Sequence, residues 1–387
     1  MKKLIGPIIF ILAAAAIVLM KWYGKGTVEK LKPVEQKVIS AFVGGEKLPF
    51  LNNPEVKDIL LKRYGITLNA VKSGSIEMVT ESQASGQDAL WPSNQIAVKM
   101  FRKRGEHFLT EENMFNSPLV LYTYDVVCNA LIKQKIVKEQ NKSFYIIDLP
   151  KLLQFIVEGK TWQDIGLPQL YGKIAIYSTD PTRSNSGNMF AGLLASAFNQ
   201  GVIVTDQTVD NVLPQLKTYF ELRGYMEHSS GDIFNNFITT GVGAKPVIVG
   251  YENQIIEFSL ENEKYIDYLR TKIRTLYPVP TVWSSHPIIA LTPKGKSLIE
   301  AMKDKDIQRI AWEKHGFRSG LIGVENDPTV LNVAGIPKEI TAVIPMATHL
   351  SRDTIRLLRI RKPKEIKVSW CHCNYRLSRL KWIAVNC

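Results

Sequence analysis

The chain has 387 residues, of which 45% are hydrophobic and 22% are charged. This composition excludes a largely disordered chain, and the length allows roughly two domains. A net charge of +13 would be typical of nucleic-acid binding if it lay on one face of a fold. It lies at the two ends instead, because residues 33–351 contain 33 basic and 33 acidic residues. We therefore expect no nucleic-acid partner.

The N-terminus has the pattern of a secretory signal. Residues 4–20 form a run of 17 residues without a charge, preceded by Lys2 and Lys3. The run is close to the shortest stretch that spans a bilayer, and no small-residue cleavage site follows it. We predict that residues 1–24 are a signal peptide or a transmembrane signal anchor, with the uncleaved anchor favoured, and that 25–35 are a linker. The body is then expected on the extracytoplasmic face of a bacterial cell membrane, or secreted or periplasmic if the signal is cleaved.

Residues 37–158 alternate between strand-like and helix-like segments. Strands are predicted at 37–42, 66–71, 89–94 and 117–125, and helices at 53–64, 76–82, 95–102 and 149–158. Pro54 in the first turn and Gly65 after the last turn delimit the helix at 53–64. Alternation of strands and helices predicts an α/β layer fold.

The second half of the chain continues this alternation of strands and helices. Strands are predicted at 173–177 and 244–251, and helices at 190–198, 209–223 and 298–313. Residues 277–292 carry prolines among β-forming residues. Proline removes a donor from a sheet ladder, so this segment is interpreted as a crossover between lobes, not a central strand.

Small polar loops recur where a predicted strand precedes a helix: 44–45, 73–75, 92–94 and 183–188. In open α/β sheets a ligand lies beyond the carboxyl ends of the strands. The last loop adds the permanent charge of Arg183 to a helix start, where free N–H groups favour an anion. These loops predict a cleft for an anion or an acceptor-rich ligand, although ordinary helix capping explains each loop taken alone.

Six segments together resemble a known family: 43–47, 72–75, 91–94, 178–188, 249–252 and 312–317. Their order and spacing are similar to those of bacterial extracytoplasmic solute-binding proteins of the type II periplasmic-binding fold, near the molybdate- and phosphate-binding branch. The resemblance implies an α/β fold of two lobes joined by a hinge, preceded here by the N-terminal transmembrane or signal helix. Lobe 1 would comprise 36–120 and 281–350, and lobe 2 would comprise 121–280.

The resemblance implies a function in transport. A small anionic or carboxylate-bearing solute would be captured between the lobes, as a rule for an ABC-type transporter whose membrane permease is the protein partner. No enzymatic activity, cofactor or resident metal is expected. The implied ligand-binding residues are Gly45, Ser73, Ser75, Ser93, Arg183, Ser184, Asn185, Ser186, Gly187 and Tyr251, the last of which would close over the solute.

Several alternatives stay open. Glu46 would repel an oxyanion if it pointed into the cleft, although Lys47 could offset that charge. Glu252 could act as a general base in the cleft, whereas His228 and His315 are interpreted as surface or core residues. A membrane-anchored sensor, or an assembly scaffold, could use the same fold without transport.

The C-terminal residues 351–387 form a basic tail. They contain Cys371, His372 and Cys373, which supply too few ligands at a spacing that matches no common zinc site. A non-native or frameshifted terminus, or a flexible basic tail, is favoured over a metal site. The body contains only Cys128, so no disulfide framework is predicted.

Overall fold

The computed structural model describes residues 35–80, 84–205, 207–340 and 343. The strands are β1 (Lys37–Val43), β2 (Ile66–Lys72), β3 (Ala89–Trp91), β4 (Thr110–Tyr124), β5 (Val137–Gln140), β6 (Phe144–Ile147), β7 (Val247–Tyr251), β8 (Ile273–Pro278), β9 (Trp283–Ala290) and β10 (Arg318–Ser319). Their order in the sheet is β2-β1-β3-β9-β4-β8-β6-β5, and β7 and β10 also pair with β4. The sheet is mixed, with parallel pairs on either side of antiparallel ones.

Helices flank this sheet. They are α1 (Leu48–Asn52), α2 (Pro54–Tyr64), α3 (Glu77–Thr80), α4 (Gln95–Lys103), α5 (Asp125–Lys133), α6 (Leu149–Val157), α7 (Asn185–Phe198), α8 (Val209–Glu221), α9 (Ser230–Thr240), α10 (Glu252–Glu261), α11 (Ile266–Lys272), α12 (Pro293–Met302) and α13 (Lys305–His315). Short 3-10 helices lie at Gly45–Lys47, Gln163–Ile165, Glu263–Tyr265 and Pro328–Val330. Polar side chains cap several helices as their sequences predict: Asn53 accepts from the N–H of Glu55, and Asn94 accepts from the N–H of Ala97.

Strand β4 runs through two halves of the molecule. Its residues up to Pro118 pair with β9, whereas those from Leu119 onward pair with β7 and β8. The first lobe therefore contains β1–β3, β9, β10 and the start of β4, and the second lobe contains β5–β8 and the end of β4. The chain returns between the lobes in the segment that joins β8 to β9. The lobe boundaries at 120/121 and 280/281 stay a prediction.

Each lobe buries a hydrophobic core of its own. In the first lobe the rings of Trp91 and Phe115 stack with centroids 5.7 Å apart, and Phe50 meets Phe115 edge-on at 5.2 Å. In the second lobe the ring of Tyr122 packs edge-on against Phe234. Trp91 and Tyr122 are core residues, since both are fully buried.

Three sequence expectations were wrong in detail. Residues 173–177 form no ladder, and Tyr177 makes only a single parallel bridge to Ile248. The segment 277–292 does contain a crossing between the lobes, as predicted, but most of it is β9, a central strand that pairs with both β3 and β4. The helix predicted at 298–313 is two helices, because Asp304 caps a new one by accepting from the N–H of Asp306.

Two predicted segments lie outside the described residues: the N-terminal signal or anchor with most of its linker, and the basic tail at 351–387. Among the helices that the structure describes, none is both long enough and apolar enough to cross a membrane.

Candidate functional site

A cavity of about 910 Å³ lies between the two lobes. Its lining residues come from loops that follow strands or begin helices, namely 44–46, 49, 72–77, 93 and 100 on the first lobe, and 181–186, 188, 228–231, 251, 253–254 and 257 on the second. Most of these side chains are polar, and the volume is within the range of small-molecule sites. The cavity can therefore surround a small polar solute.

The structure brings together nearly all of the predicted ligand-binding residues. Those that line the cavity are Gly45, Ser73, Ser75, Ser93, Arg183, Ser184, Asn185, Ser186 and Tyr251. The strand-to-helix loops of both lobes thus meet at one place, as the topological argument predicts. That these residues bind a solute stays a prediction.

Gly187 is the exception, since it does not line the cavity. A Cβ at this position would clash with the carbonyl oxygen of Thr179 and would lie 2.9 Å from the carbonyl carbon of Asp180. The glycine therefore lets the 179–181 turn pack closely against the first turn of α7, and its expected role as a ligand contact is corrected to one in packing.

The N-terminus of α7 offers hydroxyl groups to the cavity. The Ser186 hydroxyl lies 2.7 Å from the Thr179 hydroxyl and 3.0 Å from the Ser184 hydroxyl. Ser184 is the N-cap residue, yet its side chain makes no capping hydrogen bond. The first-turn N–H groups of α7 therefore keep their affinity for an external acceptor.

Asn185 links the two lobes. Its amide nitrogen donates to the carbonyl oxygen of Ser93 at 3.0 Å and to the Tyr251 hydroxyl at 2.9 Å, and its amide oxygen accepts from Asn94. In this conformation the Asn185 side chain is used for contact between lobes. Tyr251 is buried, which raises the pKa of its hydroxyl well above the usual range, so it remains a neutral hydrogen-bonding group.

Two cations reach the cavity from opposite lobes. Arg183 has a side chain that is 64% exposed, lies 3.8 Å from Asp180 and approaches His228 to 3.3 Å. Lys72 is the last residue of β2 on the first lobe and lies across Gly45, where a Cβ would be 2.7 Å from the Cε of Lys72. His228 also lines the cavity, and its side chain is exposed, in agreement with its interpretation as a surface histidine. No local pattern indicated its place beside Arg183, because the two residues are 45 positions apart in the chain.

The carboxylates of the cavity wall already have partners. Glu77 accepts from the N–H of Gly74 at 3.1 Å, and Glu257 lies 2.7 Å from the ring of His315, which belongs to the first lobe. Burial raises the pKa of Glu257, and the His315 hydrogen bond offsets part of that rise. Glu46 is paired with Lys47.

Glu252 is not in the cleft, so its candidacy as a general base is corrected. Its carboxylate is fully buried and accepts hydrogen bonds from Arg318 at 2.6 and 3.0 Å and from the Tyr277 hydroxyl at 2.7 Å. These donors fix the carboxylate behind the cavity wall. Within the described part of the chain, no group of three or more histidine, cysteine, aspartate or glutamate residues could hold a metal ion.

No protein-family model matches the sequence, and no curated protein is similar to it. Solved structures are similar in fold. The apo ferric ion-binding protein A of Pasteurella haemolytica superposes with a TM-score of 0.53 and 15% identity, over 83% of this chain and 96% of that one. Iron-bound HitA of Pseudomonas aeruginosa gives 0.54 and 13%, over 83% and 98%. A putative extracellular solute-binding protein of Bordetella parapertussis gives 0.54 and 10%, over 83% and 96%.

These likenesses cover both lobes and almost the whole length of the similar proteins. Their identities of 10–15% establish fold and no finer property. The placement near the molybdate- and phosphate-binding branch stays a prediction. The chain has the two-lobed fold of the type II extracytoplasmic solute-binding proteins, which confirms the resemblance seen in its sequence.

Proposed function

We propose that this protein is an extracytoplasmic solute-binding protein that captures a small anionic or carboxylate-bearing solute between its lobes. The observation that carries the proposal is the meeting of Lys72 and Arg183, from opposite lobes, at one cavity whose wall also includes the N-termini of α7 and α9. Basic side chains and helix N-termini both favour a negative ligand.

The balance of charge at the wall supports this choice. Glu46, Glu77 and Glu257 each accept hydrogen bonds from neighbouring groups of the protein. Arg183, in contrast, is mostly exposed, and its nearest carboxylate is at 3.8 Å, longer than a hydrogen bond. Arg183 is therefore a charged donor group that is still available to bind a negative group of the solute.

The fold and the predicted location support a role in transport. Two-lobed binding proteins close around a ligand by a hinge, and the closed form can be recognised by a partner. We propose a membrane permease of an ABC-type transporter as that partner, with the N-terminal segment holding the protein at the membrane. A sensor or scaffold would use the same cavity and differ only in what recognises the closed form. Neither reading includes a chemical step on the solute.

A thermal-shift screen of the detergent-solubilised full chain tests the proposal. The compounds are phosphate, sulfate, molybdate, dicarboxylates, amino acids, sugars and ferric citrate. A ligand that binds only the folded state stabilises it by about 2.7 kcal/mol at one hundred times its dissociation constant. We expect anions to raise the melting temperature and neutral sugars to leave it unchanged.

Variants then test the site. Arg183→Ala is expected to weaken binding of the active anion roughly tenfold or more, because a charge-assisted hydrogen bond contributes about 1.5–3 kcal/mol. The matched control is Arg102→Ala, whose exposed arginine on α4 does not line the cavity. Equal binding by wild type and Arg183→Ala would contradict the assignment of this cavity as an anion site.

A further inference from the structure

A buried cluster lies directly behind the Gly44–Glu46 wall of the cavity. It consists of Glu46, Lys47, Ser93 and His286, and we call it the Lys47 cluster. The Lys47 side chain is 0% exposed, although it follows a cavity-lining residue. Space for it depends on Gly44, where a Cβ would lie 2.8 Å from the Lys47 ammonium nitrogen.

All three donors of the Lys47 ammonium are used inside the protein. They point to a Glu46 carboxylate oxygen, to the Ser93 hydroxyl at 3.0 Å and to Nδ1 of His286 at 3.1 Å. Burial and the neighbouring Lys47 charge lower the pKa of His286 to about 4. The imidazole is therefore neutral near pH 7, and its Nδ1 acts as the acceptor for Lys47.

The hydrogen bonds of Glu46 are one-sided. Its Oε1 accepts from both Lys47 and Ser93, whereas its Oε2 has no hydrogen bond from any residue that the structure describes. The side chain is 22% exposed and lines the cavity. Burial raises the pKa of this carboxyl, but the Lys47 ammonium more than offsets the rise, and the pKa lies well below the usual range. Glu46 is thus an ionised acceptor with one oxygen left for a ligand.

Stability alone does not explain this arrangement. Burying an ammonium group is costly, and a buried ion pair is often no more stabilising than apolar residues of similar volume. What the Lys47 cluster achieves is orientation, since the ion pair and the Ser93 hydroxyl fix a carboxylate at the wall of an otherwise donor-rich cavity. That carboxylate also raises the pKa of Tyr251 and of Glu257, so its negative charge is felt across this part of the wall.

We propose that the solute carries, besides its anionic group, a hydroxyl or amine that donates a hydrogen bond to Oε2 of Glu46. This inference rests on the proposed function and names the class of solute more closely. A bare oxyanion would face the Glu46 charge without a hydrogen to offer it. A solute with an anion at one end and a donor at the other satisfies both the cations and the carboxylate. Lys47 is then a positioning residue that acts through Glu46.

Matched probes that differ only in the second group test the inference on the full chain. One series is ethyl phosphate, 2-hydroxyethyl phosphate and phosphoethanolamine. The others are propionate, 3-hydroxypropionate and β-alanine, and ethanesulfonate, 2-hydroxyethanesulfonate and taurine. Dissociation constants are measured by calorimetry. We expect the hydroxyl or amine member of at least one series to bind at least tenfold tighter than its ethyl counterpart, in line with a hydrogen bond to a charged group.

The variant Glu46→Gln separates a ligand contact from a structural role. It should lower the affinity of the preferred donor-bearing probe roughly tenfold, whereas the affinity of its ethyl counterpart should not fall, because that probe offers no hydrogen to the carboxylate. The matched control is Glu263→Gln, an exposed glutamate that does not line the cavity. If Glu46→Gln does not fold, the comparison of probes with the wild-type protein decides the question by itself.

The outcomes distinguish the two proposals. Equal affinity within every series, with binding present, would overturn the inference and leave the anion-binding function standing. Equal weakening of all three members by Glu46→Gln would also overturn it, since Glu46 would then only shape the loop. Absence of binding by every probe would contradict the anion-binding function and the inference with it.

Discussion

The buried ion pair between Glu252 and Arg318 gives the sharpest prediction for stability. Arg318→Met is expected to lower the free energy of unfolding by about 3–5 kcal/mol, because it leaves the Glu252 carboxylate buried without a cation. Arg318 belongs to β10 on the first lobe, whereas Glu252 begins α10 on the second. The pair therefore connects the two lobes near β4, one of the places where the chain passes between them.

The magnitude follows from the geometry of the pair. The Glu252 and Arg318 side chains are 0% and 7% exposed, so water cannot replace the lost partner. Arg318 donates to both oxygens of Glu252 and also to the carbonyl oxygens of Pro337 and Lys338, at 2.6 and 2.9 Å. Since domains are typically stable by about 5–15 kcal/mol, the loss would be a large part of the total.

Denaturant unfolding of the purified chain, followed by tryptophan fluorescence, measures the effect. The double variant Arg318→Met with Glu252→Leu should recover much of the loss, because no buried charge is then left unpaired. Arg309→Met is the matched control, since its ion pairs with Asp306 and Glu313 are exposed and each contributes at most about 1 kcal/mol. A loss below about 1 kcal/mol for Arg318→Met would refute the argument that this pair is isolated from solvent.

Three further perturbations have defined outcomes. Gly187→Ala should lower the free energy of unfolding by about 1–3 kcal/mol through its clash with Thr179, and an unchanged value would show that the turn can move away. Gly316→Ala should lower the melting temperature, because the residue has φ of +66° and a Cβ there would lie 2.8 Å from Cα of Asn253. An unchanged melting temperature would mean that the lobes separate easily at this contact. Between pH 7 and pH 5, His286 by itself should lower the free energy of unfolding by about 2 kcal/mol. Its folded-state pKa, about 4, lies below the ordinary value of 6.5, so the unfolded chain binds the proton first. His286→Gln should reduce that dependence, and an equally steep slope in the variant would assign it to other groups.

Local sequence signals predicted the elements of the first lobe because they act within a few residues. Asn53 and Pro54 mark the start of α2, and the Asn94 side chain caps α4. Such signals rest on capping and on the dihedral angles of single residues, which tertiary contacts seldom override. The positions of β1, β2 and β3 follow from apolar runs that lie between such helix signals.

The wrong expectations depended on partners far away in the chain. Pro287 argued against a central strand, yet β9 is one, because the ladder with β4 has an irregularity between Asn113 and Phe115, beside the pairing of Asn113 with Pro287. Proline is tolerated at such a bulge. Residues 173–177 have strand composition, but only Tyr177 bridges to β7. In contrast, the break before α13 had a local signal in Asp304, a good capping residue.

The charged side chains of the cavity show most clearly where local inference ends. Glu46 and Lys47 are neighbours in sequence, and their opposite charges suggested only that one could offset the other. In the fold their charged groups meet behind the cavity wall, because the 3-10 turn at Gly45–Lys47 directs the lysine inward, where it also contacts His286, 239 residues away in the chain. The offset thus takes place within the protein, where Lys47 has no donor left for a solute. The cations that a solute can meet are instead Lys72 and Arg183, and the carboxylate it meets is Glu46, so the cavity presents both signs of charge.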